Sequence, residues 1–176
     1  MKITKKYVRS ETESLDDIEA YLQGKVFHVS RLDYLPSIIK CGEIRVNTDG
    51  VLPTTFGFSN NSFFRNRDCV SLFDYRSEPT EEIRSFRLRC YPFRPADPSN
   101  EGIAILILQS KVYGNLVPWT LWKEERAFRE MVVPHVETGY PGSISLSMVE
   151  EIISVEITED PKSSAAQLRK IHETRG

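Results

Sequence analysis

Three kinds of side chain, far apart along the chain, offer most of the chemistry in this sequence. His28 stands near the end of a short apolar stretch, Lys25-Val-Phe-His-Val-Ser30. A strand end beside a loop holds an imidazole rigidly while letting it reach a ligand, although a lone histidine there also serves as a satisfied structural group. Arg65 and Arg67 follow the aromatic, Asn-rich run FGFSNNSFF. Two guanidinium groups at such a place suit a diphosphate, through paired charge-assisted hydrogen bonds; the plainer reading is a solvated charged turn. Glu130 precedes the apolar Met131-Val132-Val133, and a carboxylate opening a strand can stand at the mouth of a cleft. Glu124 and Glu125, in a charged run, read instead as the solvated face of a helix.

A further stretch, Arg84 to Arg94, has four arginines (Arg84, Arg87, Arg89, Arg94), three aromatics and no acid. Cations interleaved with rings can grip a single strand of nucleic acid by phosphate contact and base stacking. The alternative is an amphipathic helix end, with Phe86, Leu88 and Phe93 in the core and the arginines in water.

Composition limits what these residues can belong to. With 176 residues the chain fits one domain and is long enough to bury a core without covalent staples. A formal charge of −2 argues against blanket attraction to nucleic acid or anionic membrane, while leaving room for a local basic patch. Cys41, Cys69 and Cys90 are odd in number and widely spaced, so no zinc site is expected; they read as free thiols in a reducing compartment. The charged N-terminus MKITKKYVRSETESLDD has no apolar h-region, and no run approaches the ~20 apolar residues of a membrane span, so a cytoplasmic protein is expected.

Local pattern supplies the elements that must position the candidate residues. Ser14 and Asp17 predict a capped helix closed by Gly24, giving a helical extension over 1–24. A buried strand over Lys25–Ser30 leads into a helix from Tyr34 to Cys41, with Asp33 as its cap, Pro36 in its first turn and Gly42 at its end. Glu43–Val46 starts another strand. The segment from Asn47 to Asn66, rich in Gly, Asn, Ser and Phe, is a candidate binding loop. Strands are predicted at Cys69–Tyr75, Gly102–Leu108, Glu130–Val136 and Ile152–Ile157, and a helix over Pro79–Cys90. Ser147 can cap a short helical turn, and a polar helix or tail fills 161–176. Strands outnumber helices after the long loop and do not alternate with them. An α+β fold with a split, mostly antiparallel sheet and flanking helices is therefore expected, the main domain spanning 25–160. No GxGxxG or P-loop follows any strand.

Taken in order, these segments resemble the ADP-ribosyltransferase superfamily, and within it the DarT toxin-like branch. FHVSRLDYLPSIIKCGEIRV resembles that family's opening strand–helix–strand; FFRNRDCVSLFDYRS resembles its arginine-containing segment and second core strand; GIAILILQSKV resembles the central strand. RAFREMVVPHV with ISLSMVEEIISVEI resembles the closing pair, where the catalytic Glu stands just before an apolar strand. The likeness runs from about Val26 to Ile157.

The resemblance implies an enzyme that takes ADP-ribose from NAD, without a metal, and transfers it to a DNA, RNA or protein acceptor, as a toxin or in defence. It implies catalytic roles for Glu130 and for Arg65 or Arg67. His28, with Ser30, would hold the nicotinamide end or adenosine-side ribose, and Phe73 or Tyr75 would stack on the nicotinamide. Arginine-modifying members carry Gln or Glu two residues before the catalytic Glu; Phe128 stands there in this chain, which disfavours an arginine acceptor. Two alternatives remain. One is a non-catalytic module of the same fold that binds a nucleotide or nucleic acid. The other is an RNA 2′-phosphotransferase-like enzyme, whose basic site is poorly matched by His28, His135 and His172.

Overall fold

A computed structural model describes residues 2–9, 16–55, 60–90, 92–93 and 102–158. Its centre is β5 (Gly102–Leu108), in which every residue is buried. The Ile-rich run has the period of a strand that is covered on both sides. Ile103, Ile105 and Ile107 face one core with α1 (Asp16–Leu22) and the inner side of α3 (Glu81–Arg89). Ala104, Leu106 and Leu108 face a second core with α2 (Leu35–Cys41). Each of these isoleucine and leucine side chains contributes about 1.5–3 kcal/mol by leaving water, so this strand anchors both layers.

Around β5 the sheet is built from β1 (Lys2–Arg9), β2 (Val26–Arg31), β4 (Cys69–Asp74), β6 (Val117–Pro118), β7 (Glu137–Pro141) and β9 (Val149–Thr158). The seven strands lie in the order β1-β9-β5-β2-β4-β7-β6. Neighbours are antiparallel except β1 and β9, which run parallel. A small separate sheet joins β3 (Glu43–Ile44) to β8 (Ile144–Ser145). Mixed α and β structure with a mostly antiparallel sheet is the architecture expected from the sequence.

The feature that makes a site is a short pairing. β2 and β4 share only the pairs Val26↔Asp74 and Phe27↔Phe73. Beyond Phe27, β2 bonds to β5 alone, and the other end of β4 bonds to β7. The sheet is split there.

Several expectations need correction. Lys2–Arg9 is not helical but an edge strand matched residue for residue to β9, so only Asp16–Leu22 of the 1–24 segment is helix. Its sequence has no apolar alternation, and its conformation follows from the ladder that β9 offers. Asp33 does not cap α2; a 3₁₀ turn, Leu32–Tyr34, leads into that helix and the Asp33 carboxylate pairs with Arg31 at 2.7 Å. Ser145, not Ser147, caps the turn Leu146–Met148 by accepting from the Ser147 N–H. Glu130–Val136 is not a strand. Met131 makes one bridge to Ser62, then Pro134 interrupts donation and the chain turns through His135 before β7 begins. Ser14 and the expected tail helix over 161–176 lie outside the described residues.

Candidate active site

Where β2 and β4 part, a cleft of about 690 Å³ opens, a size suited to a cofactor or nucleotide. Its wall is chiefly apolar, with His28, Ser30, Arg65, Phe73, Glu130 and Glu137 among the residues that reach it. α2 and the loop after β3 supply another wall, through Ile38, Cys41, Arg45 and Asn47.

His28 bridges the split. Its Nδ1 lies 3.1 Å from the Ser71 carbonyl oxygen of β4, an atom that can only accept, so Nδ1 carries the proton and Nε2 is left as an acceptor. Burial lowers the imidazole's pKa, against the pull of the Ser71 carbonyl, so the neutral form is favoured. Ser30, two residues along the same face of β2, is also buried on the cleft.

Arg65 and Arg67 share one 3₁₀ turn and part company. Arg65 lines the cleft and donates from Nη1 to Asn60 Oδ1 at 3.0 Å. Gly50, with φ of +74°, lets the loop lie against that guanidinium; an added Cβ would stand 2.0 Å from Nη2. Arg67 is committed elsewhere. It donates to Glu125 (Nε–Oε2, 2.8 Å), to the Phe63 carbonyl (2.9 Å) and to Glu130 (2.5 Å), with its guanidinium 3.6 Å from the Phe63 ring centre.

The two candidate rings also separate. Phe73 lines the cleft and stacks on Phe27 at 5.5 Å. Tyr75 is wholly buried in the core, edge-on to Phe27 at 5.0 Å and beneath Arg87 at 3.8 Å. Its ring is therefore not offered to the cleft: Tyr75 lies at the closed end of the β2–β4 pairing, where its N–H donates to the Lys25 carbonyl at 2.9 Å and its carbonyl accepts from the Gly24 N–H at 2.8 Å.

Glu130 reaches the cleft from a loop, tied by Arg67 and by Asn66 Nδ2 at 3.3 Å, while its carbonyl accepts from Trp122 Nε1 at 3.0 Å. The carboxylate that does open a strand is Glu137. It faces the cleft at the start of β7, in register with Phe73. Its Oε2 accepts from the Val133 N–H at 2.6 Å. Burial nevertheless pushes the carboxyl up to about 7, the Val133 contact offsetting part of the rise. Sequence reading missed Glu137 by running a strand through Pro134, and that proline was the available signal of a break.

The basic stretch does not form a strip of free cations. Ile83, Phe86, Arg87 and Cys90 fall on the inner face of α3, at helical spacing, so Arg87 is buried and Leu88 is 75% exposed. Arg87 donates to Gln23 Oε1 at 3.1 Å and lies 3.6 Å from Glu19. Arg84 and Arg89 are exposed, whereas Arg94 lies outside the described residues. Phe93 is core, as the helix reading expected, but Leu88, expected in the core, is exposed and Arg87, expected in water, is buried.

Cys90, also on the cleft, is held as a thiol, its pKa pushed up to about 12 by burial and by Glu137. Among the described residues no cluster of His, Cys, Asp or Glu could hold a metal ion, and no helix is long and apolar enough to cross a membrane.

No protein-family model matches the chain, and no curated protein matches it in sequence. Among solved structures it is similar to Thermus sp. 2.9 DarT in complexes with carba-NAD+ and with NAD+. In each case the identity is 12%, the TM-score 0.42, and the match covers 86% of this chain and 89% of that one.

Proposed function

We propose that the chain is an NAD-dependent mono-ADP-ribosyltransferase acting on a macromolecular acceptor, nucleic acid or protein, as a toxin or defence factor. The observation that carries this reading is a convergence. A neutral imidazole whose Nε2 is left as an acceptor, the Arg65 guanidinium and a desolvated carboxylate line one chiefly apolar cleft where the sheet splits.

Each group has a task in cleaving the bond between nicotinamide and ribose. That step builds positive charge on the ribose, as in glycoside hydrolysis. Glu137, whose carboxylate has no ion pair among the described residues, supplies the fixed negative charge beside the sugar. This moves the role first read onto Glu130, whose charge Arg67 already balances. Glu130 then orders the rim through Arg67 and Asn66. Arg65, rather than Arg67, takes the diphosphate, His28 Nε2 accepts from a ribose hydroxyl or the carboxamide, and Phe73 meets the nicotinamide ring. Nicotinamide departs as a neutral molecule and needs no proton.

The experiment is incubation with NAD, with and without DNA, RNA or cell lysate, read by mass spectrometry for nicotinamide and ADP-ribose adducts. Nicotinamide release that Glu137→Gln abolishes supports the enzyme and, through the adduct, identifies the acceptor class. Absence of NAD binding and of turnover in every mixture would overturn it in favour of a non-catalytic binding module.

A further inference from the structure

The turn that delivers Glu137 is closed on itself. Val133 O accepts from the Val136 N–H at 3.3 Å and the Glu137 N–H at 3.0 Å, while the Val133 N–H returns a 2.6 Å bond to the Glu137 carboxylate. The far side is pinned to β4, where Asp74 N–H donates to Val136 O at 2.7 Å. Closing so tight a loop requires one residue in the left-handed region, and that residue is His135, with φ of 62°. Glycine or asparagine would adopt this conformation more readily. A histidine is tolerated here at a backbone cost that glycine would not incur, and its side chain is well placed to hold the turn. Its ring packs against Trp119 with centroids 4.4 Å apart, and against Phe86 of α3 at 5.7 Å. Trp119 belongs to the segment after β6 and packs on the Phe63–Phe64 cluster, whereas Phe86 packs on the core around Ile103, Ile105 and Ile107, so the imidazole joins two elements across the turn.

We propose that His135 is a positioning residue: its ring, packed against Trp119 and Phe86, locks the left-handed turn that keeps the Glu137 carboxylate on the Val133 amide and so fixes it on the cleft wall. Backbone freedom and ring packing make opposite demands at this position, which lets them be separated. His135→Gly relaxes the backbone but removes the ring; His135→Phe keeps a ring of similar size and still requires the left-handed conformation. The inference rests on the reading of Glu137 as the working carboxylate.

Steady-state nicotinamide release should fall at least tenfold in kcat for His135→Gly, with KM for NAD little changed, because a small misplacement of a reacting group is costly. The ionisation that governs its rate should also move down, toward the ordinary carboxylate range, as Glu137 swings into water. His135→Phe should recover kcat to within about threefold of the parent, since the packing contact is what matters. A His135→Gly enzyme with parental kcat and parental pH profile would overturn the inference. If the parent releases no nicotinamide, the functional reading fails, and the inference is then decided separately. The Glu137 carboxyl is titrated by ¹³C NMR in the parent and in His135→Gly, with Glu137→Gln identifying the resonance. A lower midpoint in His135→Gly sustains the positioning role, and identical curves refute it.

Discussion

At the scale of single residues, Glu137 links the chemistry of the cleft to the pH dependence of the fold. Its carboxyl ionises at about 7 in the folded protein, against an ordinary value of 4.5, with burial as the main cause. Nicotinamide release should therefore rise with pH through about 7 and level off above it, as the carboxylate forms. Stability should follow the opposite course. A proton held more tightly by the folded state stabilises it fully below the unfolded value, and this contribution disappears as pH climbs through the folded value. Glu137→Gln should consequently raise the melting temperature relative to the parent at about pH 8 and lose that advantage near pH 4, with ~3 kcal/mol as the order of the difference. Equal melting temperatures of the pair at both pH values would show that the carboxyl is not desolvated. The two arginines give a second contrast. Arg65→Ala should weaken NAD binding by about 1.5–3 kcal/mol in calorimetry, the worth of a charged hydrogen bond, with little change in melting. Arg67→Ala should do the reverse, because it strips Glu125 and Glu130 of their partner.

Elements set where these groups point. The loop after β3 crosses the Arg65 side chain at Gly50, where the positive φ disfavours any other residue and an added Cβ would have to push the guanidinium aside. Gly50→Ala should displace the guanidinium and lower NAD affinity by about tenfold while costing ~1 kcal/mol of stability, measured by calorimetry and thermal melting. Unchanged affinity would place Arg65 outside the binding geometry. At the opposite edge of the sheet, Glu151 of β9 binds Thr4 Oγ1 of β1 at 2.6 Å, the Tyr21 hydroxyl of α1 at 2.5 Å and Lys2 at 3.2 Å. Although burial works the other way, these donors hold its carboxyl down to about 2. A depressed carboxylate stabilises the fold above its unfolded value and stops doing so as pH falls toward 2. Glu151→Gln should cost up to ~3 kcal/mol at neutral pH, a cost that shrinks on acidification, and should speed amide exchange along β1. Unaltered exchange in β1 would mean that the backbone ladder alone secures that strand.

For the molecule as a whole, stability concentrates in β5, whose alternate side chains belong to the two cores. Ile105→Ala should remove about 2–5 kcal/mol, seen as a lower denaturation midpoint with an unchanged slope. The same strand carries β2, and so His28, on its other edge, which makes the cleft sensitive to the core behind it. A loss much below ~1 kcal/mol would mean that the core closes over the missing methyl groups more easily than close packing allows.

Local pattern was enough to place β2, β4, β5, α2 and α3 and to predict a split, mostly antiparallel sheet. Apolar runs, helical spacing and a closing glycine are properties of neighbours in sequence. It was enough, too, to single out His28 and to narrow the arginine to Arg65 or Arg67, while the family resemblance left the ring at Phe73 or Tyr75; the structure puts His28, Arg65 and Phe73 on the cleft. What it could not determine depended on partners far along the chain. Lys2–Arg9 is a strand because β9 lies ready to pair with it. Arg67 is tied up at the rim because Glu125 and Glu130 come back to meet it, and Arg87 is buried because α3 lies that way round on the sheet. Glu137, not Glu130, opens the strand on the cleft because a left-handed turn at His135, packed against Trp119 and Phe86, starts it seven residues later than the apolar pattern implied. Register and facing are decided by contacts between distant segments, and only the tertiary structure contains them.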